Sequence, residues 1–315
     1  GRIWRNDRGI VYSYKTKSYM KIGYACINST LQTAGGITTN RGMRQKTFNE
    51  KGLDYVSELS LQNCRDLVTI VKWNEEMGIK LFRMSSDLFP WMTLYEFTDL
   101  PDYDKIANLL KGVGTLAAKY DHRLTFHPSH FNALGSPNPV VVEKTIKELN
   151  KHSQIMDLIG LTISPYNKIN IHVGGAYGDK ESTLKRWVEN YNKLDYNTRK
   201  RLTIENDDKA NMYSVKELYE GIYKKCGVPI VFDYYHHKFC TGGLTEQEAL
   251  ELATSTWDSI TPCTHYSESR RKEHLDESIK AQAHSDLING PIETYGNDID
   301  VVIEAKHKEL AVLGY

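Results

Sequence analysis

The chain has 315 residues, 40% of them hydrophobic and 25% charged, with a formal net charge of zero. That composition describes a globular protein with enough apolar mass for a core. Bulk charge selects no partner, although local fields leave nucleic acid open. No run approaches the eighteen apolar residues of a transmembrane helix, and the first twenty residues lack an apolar signal core. The chain begins at Gly1, so its natural start is expected to lie upstream. Five cysteines (26, 64, 226, 240, 263) form no C-x-x-C pair and leave an odd count. This argues against a disulfide framework or zinc knot and for a reducing, intracellular compartment.

In chain order, strand-like runs sit at 20–25, 80–84, 123–127, 168–173, 201–205, 229–233, 260–266 and 300–304. Helical periodicity fills the spaces at 60–78, 102–120, 138–159, 180–194, 213–226, 245–257 and 273–289. Ser60 and Gly78 punctuate the first helix, and Thr245 with Glu248 forms a capping box for a later one. Eight strands alternating with helices predict a single (β/α)8 barrel over 20–315, preceded by a basic extension over 1–19 whose tail, Arg2 to Lys17, is read as a disordered leader in preference to a DNA-touching arm. The longest non-periodic stretch, 26–52, follows the first strand and should lie on the catalytic face.

Six strands end alike, with an apolar run and then one metal-type side chain: LTFHP (His127), INIHV (His172), LTIEN (Glu205), IVFDY (Asp233), CTHYS (His265) and VVIEA (Glu304). A parallel barrel gathers the C-terminal ends of its strands around one axis, where such enzymes keep their chemistry. The residues two before these ends are Thr125, Asn170, Thr203, Val231, Cys263 and Val302. They share the ligands' inward face, whereas Phe126, Ile171, Ile204, Phe232, Thr264 and Ile303 point out toward the helices. His236, three residues after Asp233, and His284 in AHSD add donors. Mixed oxygen and nitrogen donors suit manganese, zinc or magnesium, and two or three such ions are common equipment for phosphodiester hydrolysis.

The segments KIGYACINSTL, TTNRGMR, LFRMSSDLFPW, FHPSHFNALGSP, INIHVGG, LTIENDD, VFDYYHHKF, THYSES, AHSDLI and VVIEAKHKE, in that order, resemble the UV damage endonuclease family. The resemblance runs from about residue 21 to 311. It implies a metal-dependent repair nuclease that nicks damaged double-stranded DNA immediately 5′ of cyclobutane pyrimidine dimers, 6-4 photoproducts and often abasic sites, leaving a 3′-hydroxyl and a 5′-phosphate. It makes His127, His172, Glu205, Asp233, His236, His265, His284 and Glu304 ligands of two or three divalent ions, manganese above all. Glu205 and Glu304 are the expected bridging carboxylates and, with His265, the catalytic centre. Tyr24 and Asn28 fall where the family contacts the extruded lesion, and His130 and Phe131 where a polar–aromatic pair enters the duplex. Extruding a bulky lesion leaves a gap in the stack that a planar wedge can fill.

The chain departs from the family pattern in places. His130 and Phe131 stand where Gln and Tyr are usual. Cys263 stands two residues before His265, where relatives often carry a lysine available for carboxylation, which puts the third metal in question. A histidine found after the SS-x-L-x-P segment of some members is absent here. Basic residues Arg41, Arg44 and Lys46, then Arg270, Arg271 and Lys272, then Lys306 and Lys308, are candidates for holding phosphates. The competing readings are an AP endonuclease, a sugar isomerase on the same barrel, and a damage-binding protein without catalysis. A monomer is the simplest expectation.

Overall fold

The computed structural model describes residues 3–5, 11–13 and 19–315. Strands β1 (Ile3–Arg5) and β2 (Val11–Ser13) pair antiparallel. The expectation of a leader over 1–19 otherwise falls outside the described residues, apart from Tyr19.

Eight parallel strands form the barrel: β3 (Ile22–Ala25), β4 (Leu81–Met84), β5 (Arg123–Phe126), β6 (Ile169–Ile171), β7 (Leu202–Glu205), β8 (Ile230–Val231), β9 (Cys263–Tyr266) and β10 (Asp300–Ile303). Their order is β8-β7-β6-β5-β4-β3-β10-β9. A parallel bridge between Asp233 and His265 joins the last two strand ends and closes the ring. All eight expected strands are present, within a few residues of their predicted limits.

The helices are α1 (Ser29–Gly35), α2 (Gln45–Glu76), α3 (Tyr103–Tyr120), α4 (Pro139–Ile159), α5 (Lys180–Tyr191), α6 (Tyr196–Arg201), α7 (Val215–Leu218), α8 (Lys224–Cys226), α9 (Tyr234–His237), α10 (Glu246–Thr254), α11 (Arg270–Glu273) and α12 (Glu309–Leu313). The capping box at Thr245 and Glu248 is present.

Three helix expectations need correction. Ser60 does not open a helix; it is buried inside α2, which begins at Gln45 and kinks at Gly52. The stretch 26–52 is partly helical, since Asn28 caps α1 by accepting from Leu31 N. The third error is 273–289, which is not helical beyond Glu273, the last residue of the single turn of α11. Leu275 takes a left-handed backbone (φ 51), and the Asp276 carboxylate then accepts from Ser278 N and Oγ. Such local side-chain bonds compete with the helical ladder.

Register follows the predicted inside–outside alternation. Leu81, Val231, Cys263 and Val302 pack together with Trp257 within the ring of strands. Phe126, Ile171, Ile204, Phe232 and Ile303 join the larger core between strands and helices. Gly23 is required on the inward face of β3, because a Cβ there would lie 1.9 Å from the Leu81 carbonyl oxygen. Lower in the barrel Arg123 is fully buried, donating to Asp300 at 2.9 Å and to the Thr261 carbonyl at 2.8 Å. The helices therefore sit outside a packed ring whose upper end is free to carry chemistry.

Candidate active site

At the C-terminal ends of the strands the predicted residues converge around Glu205, which is 1% exposed. Its Oε1 lies 3.1 Å from His127 Nε2, 3.4 Å from His172 Nε2 and 3.1 Å from His265 Nδ1. Its Oε2 lies 3.3 Å from His236 Nδ1. His265 Nδ1 also reaches Glu304 Oε1 at 3.2 Å. Two groups of donors are close enough to share an ion: His127, His172 and Glu205, then Glu205, Asp233, His265 and Glu304. Glu205 belongs to both. His284 stands at the edge; its backbone pairs with Ser269 and its ring is 6.1 Å from that of Tyr235.

Each central imidazole has one nitrogen held from outside while the other faces the carboxylates. His127 Nδ1 donates to the Pro128 carbonyl at 3.0 Å, and His172 Nδ1 donates to Asp207 at 2.8 Å. His236 Nδ1 donates to the Asn206 carbonyl at 2.8 Å, leaving Nε2 3.5 Å from Asp233 Oδ2. His265 Nε2 accepts from Lys168 Nζ at 3.0 Å and Arg83 Nη2 at 3.2 Å. Outer partners of this kind fix ring orientation and tautomer. Glu205 is itself steadied by Asn170, which donates at 2.7 Å, and Asn170 is held by the Thr203 hydroxyl at 2.9 Å.

Asn170, Arg83, Lys168, Asp207 and Asn206 were not singled out as site residues from the sequence. A signal existed for some of them. Lys168, Asn170 and His172 are spaced by two, so they share one face of β6 and its flanks.

Electrostatics show how the cluster balances its charge. Burial alone would raise the Glu205 carboxyl, but His265 and His172 outweigh it and hold Glu205 well below its ordinary range. Burial would also raise Glu304, where Arg83 and His265 win in the same way. Asp233 is pushed well up by burial and by the charges of Glu205 and Glu304. Burial pulls His127 down to about 4. It would lower His172 and His236 too, yet the surrounding carboxylates push them up to about 9 and about 10. Two buried carboxylates and the part-buried Glu304 thus gather protons and cations to offset their charge.

Asp233 Oδ2, Glu304 Oε1 and His265 Nδ1 are buried without a hydrogen-bond partner. Buried polar atoms are normally satisfied, and two carboxylate oxygens beside an imidazole nitrogen suit a hard or borderline divalent cation that takes the place of the imidazole proton. The donor set fits such an ion.

Other expected positions behave differently. Tyr24 and Asn28 are fully buried; Tyr24 donates to Asn74 of α2 at 2.6 Å and accepts from Asn28 at 2.9 Å. They belong to the layer between strand and helix, so neither offers a direct lesion contact in this arrangement. Arg41 spends its guanidinium on Asp66 at 2.7 Å and on the Thr38 and Gly36 carbonyls, fastening its loop to α2. Arg270 binds Asp286, and Arg271 donates to the Ile279 carbonyl at 2.7 Å. Glu273, His274 and Asp286 also lie close together, but their carboxylates accept from Arg270, His274 and two backbone amides, so they act as a loop fastener. Arg44, Lys46 and Lys306 are exposed. Phe131 is 76% exposed and lies against the His130 ring, tilted by 35° with centroids 4.2 Å apart, on a turn held by Asn132 and Ser129.

A cavity of about 1110 Å³ is lined by residues including Lys21, Lys80, Asp121 and Asp300. It opens at the opposite end of the barrel and contains none of the converging donors.

With this geometry in place, the model of the UV-endonuclease UvdE family matches residues 20–315. The chain belongs to that family. It is 35% identical over 303 residues to the UV-damage endonuclease of Schizosaccharomyces pombe, covering 93% of this chain and 49% of that protein. The UV DNA damage endonuclease of Bacillus mycoides is 33% identical, covering 85% of this chain and 84% of its own. The crystal structure of SacUVDE superposes with a TM-score of 0.80 at 30% identity, covering 94% of this chain and 96% of that one. The protein is therefore an endonuclease of UV-damage repair on a TIM barrel, and DNA is its substrate. No helix among the described residues is long and apolar enough to cross a membrane, and all five cysteines are free.

Proposed function

We propose that the protein hydrolyses the phosphodiester immediately 5′ of cyclobutane pyrimidine dimers and 6-4 photoproducts, and acts at abasic sites, leaving a 3′-hydroxyl and a 5′-phosphate. The observation that carries this reading is the cluster of Asp233, Glu205, Glu304 and His265, with an unpartnered buried polar atom on each of Asp233, Glu304 and His265. His127, His172, Glu205, Asp233, His236, His265, His284 and Glu304 would hold two or three divalent ions, manganese in first place and magnesium or zinc as alternatives. Such ions lower the pKa of water and offset charge on a leaving oxygen.

The protein's own residues do the rest. Glu205, which belongs to both donor groups, and Glu304, also with two oxygens, would be the carboxylates available to neighbouring ions, and His265 stands between the two. Asp207, Asn206, Arg83 and Lys168 keep the imidazoles aimed at them. His130 and Phe131 enter the duplex beside the lesion, and exposed Arg44 and Lys306 meet phosphates. A damaged step unstacks at lower cost, so extrusion contributes to selectivity.

The test is incision of an end-labelled duplex carrying one thymine dimer, compared in Mn2+, Mg2+ and EDTA, with an abasic duplex alongside. Nicking 5′ of the dimer in a metal ion and none in EDTA is expected. Cutting in EDTA, or no cutting with any metal, overturns the proposal; cutting of the abasic duplex alone makes this an AP endonuclease.

A further inference from the structure

Strained backbone occurs at both ends of this barrel, with Asp121, Asp258 and Tyr295 in segments that enter strands and the larger share at the mouth. Of the non-glycine residues with positive φ among those described, Cys26, Trp91, Tyr177, Leu275 and Lys308 lie in loops leaving the C-terminal ends of strands. Left-handed backbone is a genuine outlier for a bulky side chain, and it persists only where surrounding structure enforces it. Two of these residues are aromatic: Trp91 at φ 56 in the loop after β4, and Tyr177 at φ 49 in the loop after β6. Phe131 occupies the loop after β5, and β4, β5 and β6 are neighbours in the barrel. Three consecutive loops around the mouth thus present one solvent-facing ring each. Trp91 is 37% exposed and Tyr177 45%.

Both flanking rings are held in place. Trp91 Nε1 donates to the Met43 carbonyl at 3.0 Å, and its ring lies 6.0 Å from that of Phe48. The Tyr177 ring lies over Gly175, where a Cβ would come within 2.8 Å of its Cζ. The Ala176 carbonyl beside it accepts from Asp179 N at 3.0 Å and Thr183 Oγ1 at 2.9 Å. A single exposed aromatic needs no explanation. Rings repeated on adjacent loops, two of them on strained backbone, do.

We propose that Trp91 and Tyr177 are DNA-contacting residues that flank Phe131 and take bases or sugars on either side of the damaged step. The inference rests on the nuclease reading of the mouth. Rings on separate loops, beside a cluster of phosphodiester chemistry, match a polymer of stacked bases better than one continuous apolar partner. Exposed Arg44, next in sequence to the residue that anchors the indole, puts positive charge beside Trp91 for the phosphates. Contact through aromatic faces tolerates any base, which suits an enzyme whose lesion arises in any flanking sequence.

Among the tryptophans from residue 19 on, Trp187 and Trp257 are buried and Trp73 is partly buried, so the difference between wild type and Trp91→Phe reports on DNA at Trp91. In EDTA, where no cutting is expected, a thymine-dimer duplex should bind and quench the emission of the wild type and quench Trp91→Phe far less. Trp91→Ala and Tyr177→Ala should each weaken binding about tenfold. KM should rise without a matching fall in kcat, and melting should stay close to wild type. Tyr177→Phe should bind normally, since the ring and not the hydroxyl makes the contact. Unchanged affinity in both alanine variants, with a wild type that binds and nicks damaged duplex, overturns the inference alone. A wild type that neither binds nor nicks overturns the nuclease reading and this inference with it. A wild-type dimer that Trp91→Ala splits would assign the rings to a second copy of the chain, and the inference falls.

Discussion

Replacing Glu205 by glutamine keeps the side-chain volume and removes one charge from the middle of the donor cluster. His127, His172, His236 and His265 all lie within 3.4 Å of a Glu205 oxygen and would lose their common counter-charge. The sign follows from the carboxyl being held below its ordinary value. Its contribution to stability is present above the ordinary carboxylate range and is lost as pH falls through the folded value. At pH 7 the contribution is complete. Hydrogen bonds to a charged group are worth about 1.5–3 kcal/mol, so the variant without metal should be less stable by about 2 kcal/mol. For a chain of this length that is roughly 4 °C in Tm. The effect on incision should be larger, because the lost charge stands where charge develops: about 4 kcal/mol, or roughly 1000-fold. Thermal melting followed by circular dichroism and single-turnover nicking measure the two effects. Histidine NMR on the metal-free protein adds a third, since Glu205 is the strongest influence raising His172 and its loss should bring His172 down from about 9. A folded variant that nicks within tenfold of wild type, with His172 still titrating near 9, would refute the reasoning.

Protons compete with metal at His172 and His236, pushed up to about 9 and about 10. Below pH 9 each displaced proton should weaken apparent metal affinity about tenfold per unit fall in pH; calorimetry showing a flat affinity from pH 6 to 8 would count against this. Phe131→Ala should leave stability within about 0.5 kcal/mol, because the ring is exposed, while the preference for damaged over undamaged duplex drops; an unchanged ratio in competition binding removes the wedge. Asp207→Asn should weaken metal binding roughly 10–100-fold by loosening the ring of His172, and a calorimetric affinity equal to wild type would show that the contact does not orient it.

The strands were legible because each carries a short apolar run that ends in a polar residue, and because alternation assigns Val231 and Val302 inward and Phe232 and Ile303 outward. Convergence of the donors then follows from topology. Features decided by side-chain competition were less legible. The segment 273–289 has helical spacing, but its ends are stapled by Arg270, Glu273, His274 and Asp286 into a looped-out turn. Arg41 and Arg44 look equivalent in sequence, yet the buried Asp66 captures one and leaves the other in solvent. Tyr24 follows the same rule. It lies one residue from an inward glycine, so alternation turns it toward α2 and away from the mouth.

Position 263 shows where pattern stops and packing takes over. The family resemblance implies a lysine two residues before His265, and the chain places Cys263 there, on the inward face with Leu81, Val231 and Val302. Cys263 joins neither group of converging donors. An amine nevertheless reaches the same histidine from across the barrel, because Lys168 precedes β6 in the inward register and extends its Nζ to within 3.0 Å of His265 Nε2. Burial pulls that amine down to about 8, and the Arg83 guanidinium stands beside it at 3.2 Å from the same nitrogen. With Nε2 engaged by two donors, His265 keeps Nδ1 for Glu205 and Glu304. Strand period puts Lys168 inside the barrel, but only the packing of long side chains across that interior decides which histidine it meets.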